Sequence, residues 1–351
     1  MFSIRPYTPA DKQQWDDFVK NSKNGTFLHC RDFMEYHSHR FTDHSLMIFN
    51  QNGKLIALLP ANEISEEEDN QPVADCQTFG SRSYQKQETR NQKPETINQK
   101  HLHSHQGLTY GGLILSIDQG INDVMDIFTA IIDYLRQNNF STLHYKQIPT
   151  IYHTCPSQED EYALWRHNAH LEVCNIASTV ALHSPQMPPA KRCRKQRYKS
   201  ACKQNYQLRE TDDLSLFWPI LQTSLKLHHN AQPVHTLQEM EKLKQTFPDN
   251  IRLFLAYNTN NQPEGGVLLF VTPQVAHSQY GHATEEGYRN HVMDYIYFTL
   301  IEQYRNDGHT QYFDLGTSNE QAGQILNATL ADQKEGFGAR GIAYKQWRID
   351  I

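Results

Sequence analysis

The 351 residues contain no Cys-x-x-Cys pair, no apolar run approaching the length of a membrane span, and no large excess of either charge. Each absence excludes something. The six cysteines, Cys30, Cys76, Cys155, Cys174, Cys193 and Cys202, are scattered. In a chain of this size that reads as reduced thiols, not a disulfide framework, and points to a cytoplasmic protein. Apolar runs such as "GGVLLFV" and "IRLFLAY" are of strand length, far below the roughly 20 residues of a spanning helix. The N-terminus is charged and polar from Arg5 onward, with no signal-peptide core, so no membrane insertion is expected. A formal net charge of −6 gives no global reason to expect nucleic acid or an anionic membrane as partner.

The chain does carry an internal repeat. "VMDIFTAIIDYLRQNNFSTLHY" starts at Val124 and "VMDYIYFTLIEQYRNDGHTQYFD" at Val292, about half a chain length apart. That spacing indicates a duplicated domain. In the first copy Val124, Ile127, Phe128, Ile131 and Leu135 fall on one helical face; in the second Val292, Ile296, Leu300 and Tyr304 do. Upstream of each helix lies a hairpin signal, "SLMIFNQNGKLIALL" and "IRLFLAYNTNNQPEGGVLLFV", then a further β-rich segment, "GLTYGGLIL" and "VAHSQYGHA". The expectation is an α/β fold of two tandem domains, residues 1–185 and 186–351, each a mixed, mostly antiparallel sheet flanked by helices. The boundary is set by the prolines of "HSPQMPPAK". Residues 65–100 are polar and almost free of large apolar side chains, which reads as a surface insertion.

"LADQKEGFGAR" spells Gln-x-x-Gly-x-Gly at Gln333, Gly336 and Gly338. A phosphate cradle needs glycines that open a helix, because the anion sits on free amides at a helix N-terminus. Here they close one: Ser318 and Gln321 read as a capping box, and Ala322, Ile325, Leu326 and Leu330 as a helix face ending at Gly336. The loop in the right place is "TEEGYRNHV", where Gly287, Tyr288, Arg289 and Asn290 are the candidate binding residues for a donor pyrophosphate.

"LNATLADQKEGFGAR" resembles the helix-to-last-strand junction of the GNAT acyltransferase superfamily. It is more similar still to the Phe-Lys-x-Gly-Phe-Gly junction of Fem-type peptidoglycan aminoacyltransferases, which are tandem GNAT domains. "RKQRYKSACKQNYQL" resembles the segment opening their second domain. The resemblance implies an N-acyltransferase with an acetyl-CoA or other acyl-CoA donor held by the C-terminal domain, and a small-molecule amine as acceptor on a sugar or envelope precursor. Two departures stand out. Asp332 occupies the position of the tyrosine acid of many GNAT enzymes, and Gln333 that of an aromatic residue. The helical arm with which Fem-type enzymes handle tRNA is not visible. Two other readings stay open: a Fem-like transferase using aminoacyl-tRNA, and a non-catalytic ligand binder of the same fold.

Acyl transfer to an amine needs a base and a positive or N–H-rich group at the developing oxyanion. Lys334, at the matching family position, is the candidate for the second role; the alternative is a solvated lysine favoured by a helix C-terminus. His277, His282 and Glu285 or Glu286 are the acid–base candidates, against a reading as strand-edge imidazoles and helix-entry carboxylates. In "SHQGLTYGG", Ser104, His105, Thr109 and Tyr110 are candidate acceptor-binding residues, against a β-bulge. His101, His103 and His105 share a side if extended but lack a carboxylate partner, so no metal is expected. The basic run Lys191 to Lys203 offers Arg197 as a substrate contact, against a charged helix face. His235 and Arg340 complete the substrate-binding set.

Overall fold

The computed structural model describes residues 2–65 and 100–351. The expected polar insertion therefore lies, apart from its end residues Ser65 and Lys100, outside the described residues. The chain forms two units, Met1–Cys174 with Tyr344–Ile351, and Asn175–Ala343.

In the first unit the elements are β1 (Ser3–Pro6), α1 (Lys12–Asn21), α2 (Arg31–Met34), β2 (Thr42–Asp43), β3 (Leu46–Phe49), β4 (Leu55–Leu59), β5 (Asn62–Ser65), β6 (Lys100–His103), β7 (Ile114–Leu115), α3 (Ile121–Gln137), β8 (Phe140–Lys146), α4 (Glu159–Arg166) and the start of β9 (His170–Ala181). β1, β3, β4 and β7 pair antiparallel. β2, β5 and β6 form a second antiparallel set, and β6 then lies parallel to β8. The repeat's first helix is α3, and all five of its expected core residues are buried, against Ile48, Leu59 and Leu143 among others. The third strand differs from expectation. It is β6, the histidine-bearing segment, while "GLTYGGLIL" contributes only β7. Gly111 explains why: a Cβ there would stand 1.8 Å from the Ser104 carbonyl oxygen, so the chain folds tightly back on itself.

The second unit continues from β9 through α5 (Arg192–Cys202), β10 (Gln207–Thr211), α6 (Trp218–His229), α7 (Leu237–Thr246), β11 (Ile251–Tyr257), β12 (Pro263–Val271), β13 (Val275–Ala283), α8 (Glu285–Arg289), α9 (Val292–Asn306), β14 (Tyr312–Thr317), β15 (Asn319–Glu320), β16 (Ile325–Leu326), α10 (Ala328–Glu335) and β17 (Arg340–Asp350). Its strands run in the order β10, β11, β12, β13, β14, β9, antiparallel except for the β13–β14 pair. α9 buries Val292, Ile296, Leu300 and Tyr304 against Phe313, Leu315 and Val267. Each aliphatic side chain so enclosed contributes about 1.5–3 kcal/mol.

Two expectations are corrected here. The division after residue 185 moves upstream: β9 itself passes from one unit to the other at Cys174, and the proline-rich stretch follows it. The helix expected from Ser318 to Leu330 is a hairpin, β15–β16, followed by α10. Gln321, Ala322 and Gly323 all adopt positive φ, which no helix accommodates, and Ile325 and Leu326 are exposed instead of packed. α10 is capped by Asn327, whose side chain accepts from the Leu330 amide at 3.0 Å.

Candidate active site

β13 and β14 are hydrogen-bonded in parallel only from Val275–Tyr312 to His277–Asp314, and then part. The parting is prepared by a bulge. Leu269 pairs with Ser278 but Leu268 with Tyr280, so Gln279 is an extra residue in β13. The extra residue flips the alternation of side chains. Ser278 reaches Tyr297 of α9, its Oγ 3.0 Å from the phenol oxygen, and a Cβ on Gly281 would meet that same oxygen at 2.1 Å. His277, Tyr280 and His282 therefore share the opposite face.

On that face His277 Nδ1 lies 2.8 Å from Asp314 Oδ2. Asp314 is fully enclosed and also accepts from Thr179 Oγ1 at 3.0 Å and the Gly316 amide at 3.0 Å. A carboxylate that collects donors acts as acceptor, so Nδ1 carries the hydrogen and Nε2 the lone pair. Among the described residues no group is bonded to Nε2, and it is not among the enclosed, unpartnered nitrogens.

Lys334 comes to the same spot from α10. Its Nζ donates to the carbonyl oxygens of Gly316 at 3.0 Å and Thr317 at 2.6 Å. Burial lowers its ammonium from 10.5 to about 8, with Asp314 pulling the other way. Gly316 holds φ +76°, and the position a Cβ would take lies 3.6 Å from His277 Cε1 and 3.9 Å from Lys334 Nζ. The missing side chain leaves a small space flanked by an imidazole and an ammonium. Behind α10, Arg194 of α5 makes two hydrogen bonds to Asp294 of α9, 2.9 and 3.1 Å, under the ring of Phe337.

The other expected residues are distributed around this centre. His282 is buried, its Nδ1 3.0 Å from Ser224 Oγ of α6, which also meets the Tyr288 hydroxyl at 3.2 Å. His235 Nδ1 lies 2.8 Å from the Tyr280 hydroxyl. Arg197 and Arg340 are exposed on α5 and at the start of β17. Glu285 is exposed at the first position of α8. The expected open phosphate loop is wound into that short helix. The Gly287 amide donates to Thr284 Oγ1 at 3.0 Å, the Tyr288 amide to the Thr284 carbonyl, and the Asn290 amide to the Glu286 carbonyl. Arg289 pairs with Glu286 at 2.7 Å, and Asn290 donates to the same carboxylate at 2.8 Å. Ser104, His105, Thr109 and Tyr110 belong to the first unit. There Ser104 Oγ accepts the Lys146 amide at 2.7 Å and Tyr110 donates to Thr26 at 3.3 Å, which gives both a visible structural task. Asp332 lies outside this centre, exposed and paired with Lys191. Among the described residues no group of three His, Cys, Asp or Glu side chains is placed to hold a metal ion, and no helix is long and apolar enough to cross a membrane.

A sheet whose parallel central pair parts beyond a bulge, with α9 behind it, is the arrangement that comparison with known families bears on. Residues 190–322 match the acetyltransferase (GNAT) domain family. No curated protein matches the sequence. Among solved structures, FemX is similar with a TM-score of 0.65 at 9% identity, over 99% of this chain and 97% of that one. L-PGS from Bacillus licheniformis is similar with a TM-score of 0.57 at 10% identity, over 99% and 93%. A conserved protein of unknown function from Bacteroides thetaiotaomicron VPI-5482 gives 0.56 at 9% identity, over the full length of both chains. At such identities the likeness is one of fold, and it extends along the whole chain. His277 and Asp314 thus stand on the sheet within the matched residues, and Lys334 follows them on α10. Asp314 and Thr179 were not legible as site residues in the sequence. A histidine in one strand and a lone aspartate 37 positions later have no local signature, and only the parallel register brings them together.

Proposed function

We propose that the protein is an N-acyltransferase whose reaction centre is the space beside Gly316, between His277 and Lys334. The observation that carries this reading is the parting of β13 and β14 beyond His277 and Asp314 with the Lys334 ammonium beside it. An extended acyl donor has unpaired strand edges to enter along, and its carbonyl meets a fixed cation there. The ammonium has three N–H groups; two are held by Gly316 and Thr317, and the third is available to a developing oxyanion. The acyl group passes from a coenzyme A thioester to an amino group, with a sugar or envelope precursor as the acceptor class. Gly287, Tyr288, Arg289 and Asn290 are the residues nearest the expected position of the donor phosphates.

A second reading, an aminoacyl-tRNA donor, is favoured by one observation. α8 opens with two carboxylates, Glu285 and Glu286, and its Gly287 amide is already bonded to Thr284, which is a poor site for a pyrophosphate. Calorimetric titration with acetyl-coenzyme A, repeated on Arg289→Ala, separates the two. Saturable binding weakened by the substitution supports the thioester donor. Wild-type protein that binds no acetyl-coenzyme A but binds charged tRNA turns the reading to the second donor.

A further inference from the structure

We propose that His277 is the proton acceptor of the acyl transfer, and that Asp314 and Thr179 position it; the inference rests on the acyl-transfer reading above. The groups that face the ring are few. Asp314 takes Nδ1, Thr179 and the Gly316 amide hold Asp314 in place, and Lys334 stands across the Gly316 gap. The side chain of Ser278, next in the strand, is turned away and bonded to Tyr297. Asp314 has no solvent exposure and His277 retains 13%, so the ring is fixed from behind and open in front.

This division of labour follows from the chemistry. An attacking amine must lose a proton as its nitrogen bonds to the acyl carbon. Nε2, bare because Nδ1–H is committed to Asp314, accepts that proton, and the imidazolium formed lies 2.8 Å from a buried carboxylate. The carbon–sulfur bond of a thioester donor then breaks with its electron pair on sulfur, and the imidazolium returns the proton to that atom. Atoms and charge balance with no further reactant. Lys334 cannot share the acceptor role while charged, since an ammonium has no lone pair. His282 is excluded by its burial and its bond to Ser224 of α6, and Glu285 stands exposed on α8.

Two measurements decide the point. In ¹⁵N NMR of the ligand-free protein, the resonance lost in His277→Asn should have the Nδ1–H tautomer with Nε2 bare, and Asp314→Asn should change that pattern. A wild-type ring with its hydrogen on Nε2 overturns the proposal. In transfer assays with acetyl-coenzyme A and glucosamine, His277→Ala should lower kcat by roughly 10²–10⁴-fold. The KM for the donor should stay within about threefold, and added imidazole should restore at least tenfold of the lost rate. Undiminished turnover in His277→Ala, or a loss that imidazole does not relieve, refutes the role. Wild-type protein that binds acetyl-coenzyme A yet transfers nothing to any amine defeats the acyl-transfer reading instead. The tautomer measurement then still decides whether His277 is held as a base.

Discussion

Replacing Lys334 with methionine should separate stability from activity in opposite directions. The ammonium is lowered from 10.5 to about 8 chiefly by burial. A shift of this size corresponds to about 3 kcal/mol of unfavourable free energy for keeping the folded lysine protonated at pH 7. Because the unfolded chain holds the proton more tightly, the whole penalty is present below pH 8. It shrinks between pH 8 and 10.5 as the folded state releases its proton first, and it vanishes above. Methionine removes the penalty but gives up hydrogen bonds to the Gly316 and Thr317 carbonyls, about 1 kcal/mol each. At pH 7 the variant should therefore be about as stable as wild type, or more stable by about 1 kcal/mol. The sharper test is the pH dependence of the difference. Urea melts from pH 7 to 10.5 should show the variant's relative stability falling by about 3 kcal/mol as the wild type gains. Transfer activity should drop at least about 100-fold, since the remaining N–H for the oxyanion is gone. A stability difference that stays flat over this range, or a variant destabilised by several kcal/mol at pH 7, would show that Lys334 is a structural cation and sink the reasoning.

Other expectations follow the same physics. Wild-type kcat should fall above pH 8, because a neutral amine has two N–H groups and both carbonyls already hold them; a rate that keeps rising to pH 9.5 speaks against the oxyanion role. Gly316→Ala forces a side chain onto φ +76° and into the gap beside His277, so thermal denaturation should report a loss of about 1–2 kcal/mol and assays a larger loss of kcat. Asp294→Asn leaves Arg194 buried without its counter-ion and should cost about 3–5 kcal/mol in urea melts, against a small change for Arg289→Ala on the surface. In the first unit, burial lowers His29 and His153 to about 4. Unfolded histidine takes up protons first, so stability should be full above pH 6.5 and lost as pH falls toward 4, by about 3 kcal/mol for each residue, as acid-dependent melts would record.

The parts of the fold legible in the sequence were those where local pattern and burial agree. The faces of α3 and α9 could be read residue by residue because five and four apolar side chains recur at helical spacing and all enter a core. β13 could be read from end to end. The hairpin β15–β16 was misread because Ala322, Ile325, Leu326 and Leu330 imitate a helical period, while the backbone at Gln321 and Ala322 turns left-handed, as neither residue type announces. Lys334 was singled out through the motif around it. Asp314 was not, because only the parallel register of β13 and β14 brings it against His277, and the bulge at Gln279 that sets the faces of Tyr280 and His282 leaves no trace in composition.

The last eight residues of the chain, Tyr344 to Ile351, belong to the first unit, with Gln346 to Asp350 paired along β8. The second unit is thus written between two pieces of the first. On the ribosome the order of completion reverses the order of synthesis. The segment emerging first waits, one strand short at β8 with Leu143 and Tyr145 in its core, until Tyr344–Ile351 follows, while Asn175–Ala343 has every strand it needs beforehand. Loss of the final residues should therefore injure the part of the molecule made earliest and leave the GNAT-fold sheet with its His277–Asp314 pair intact.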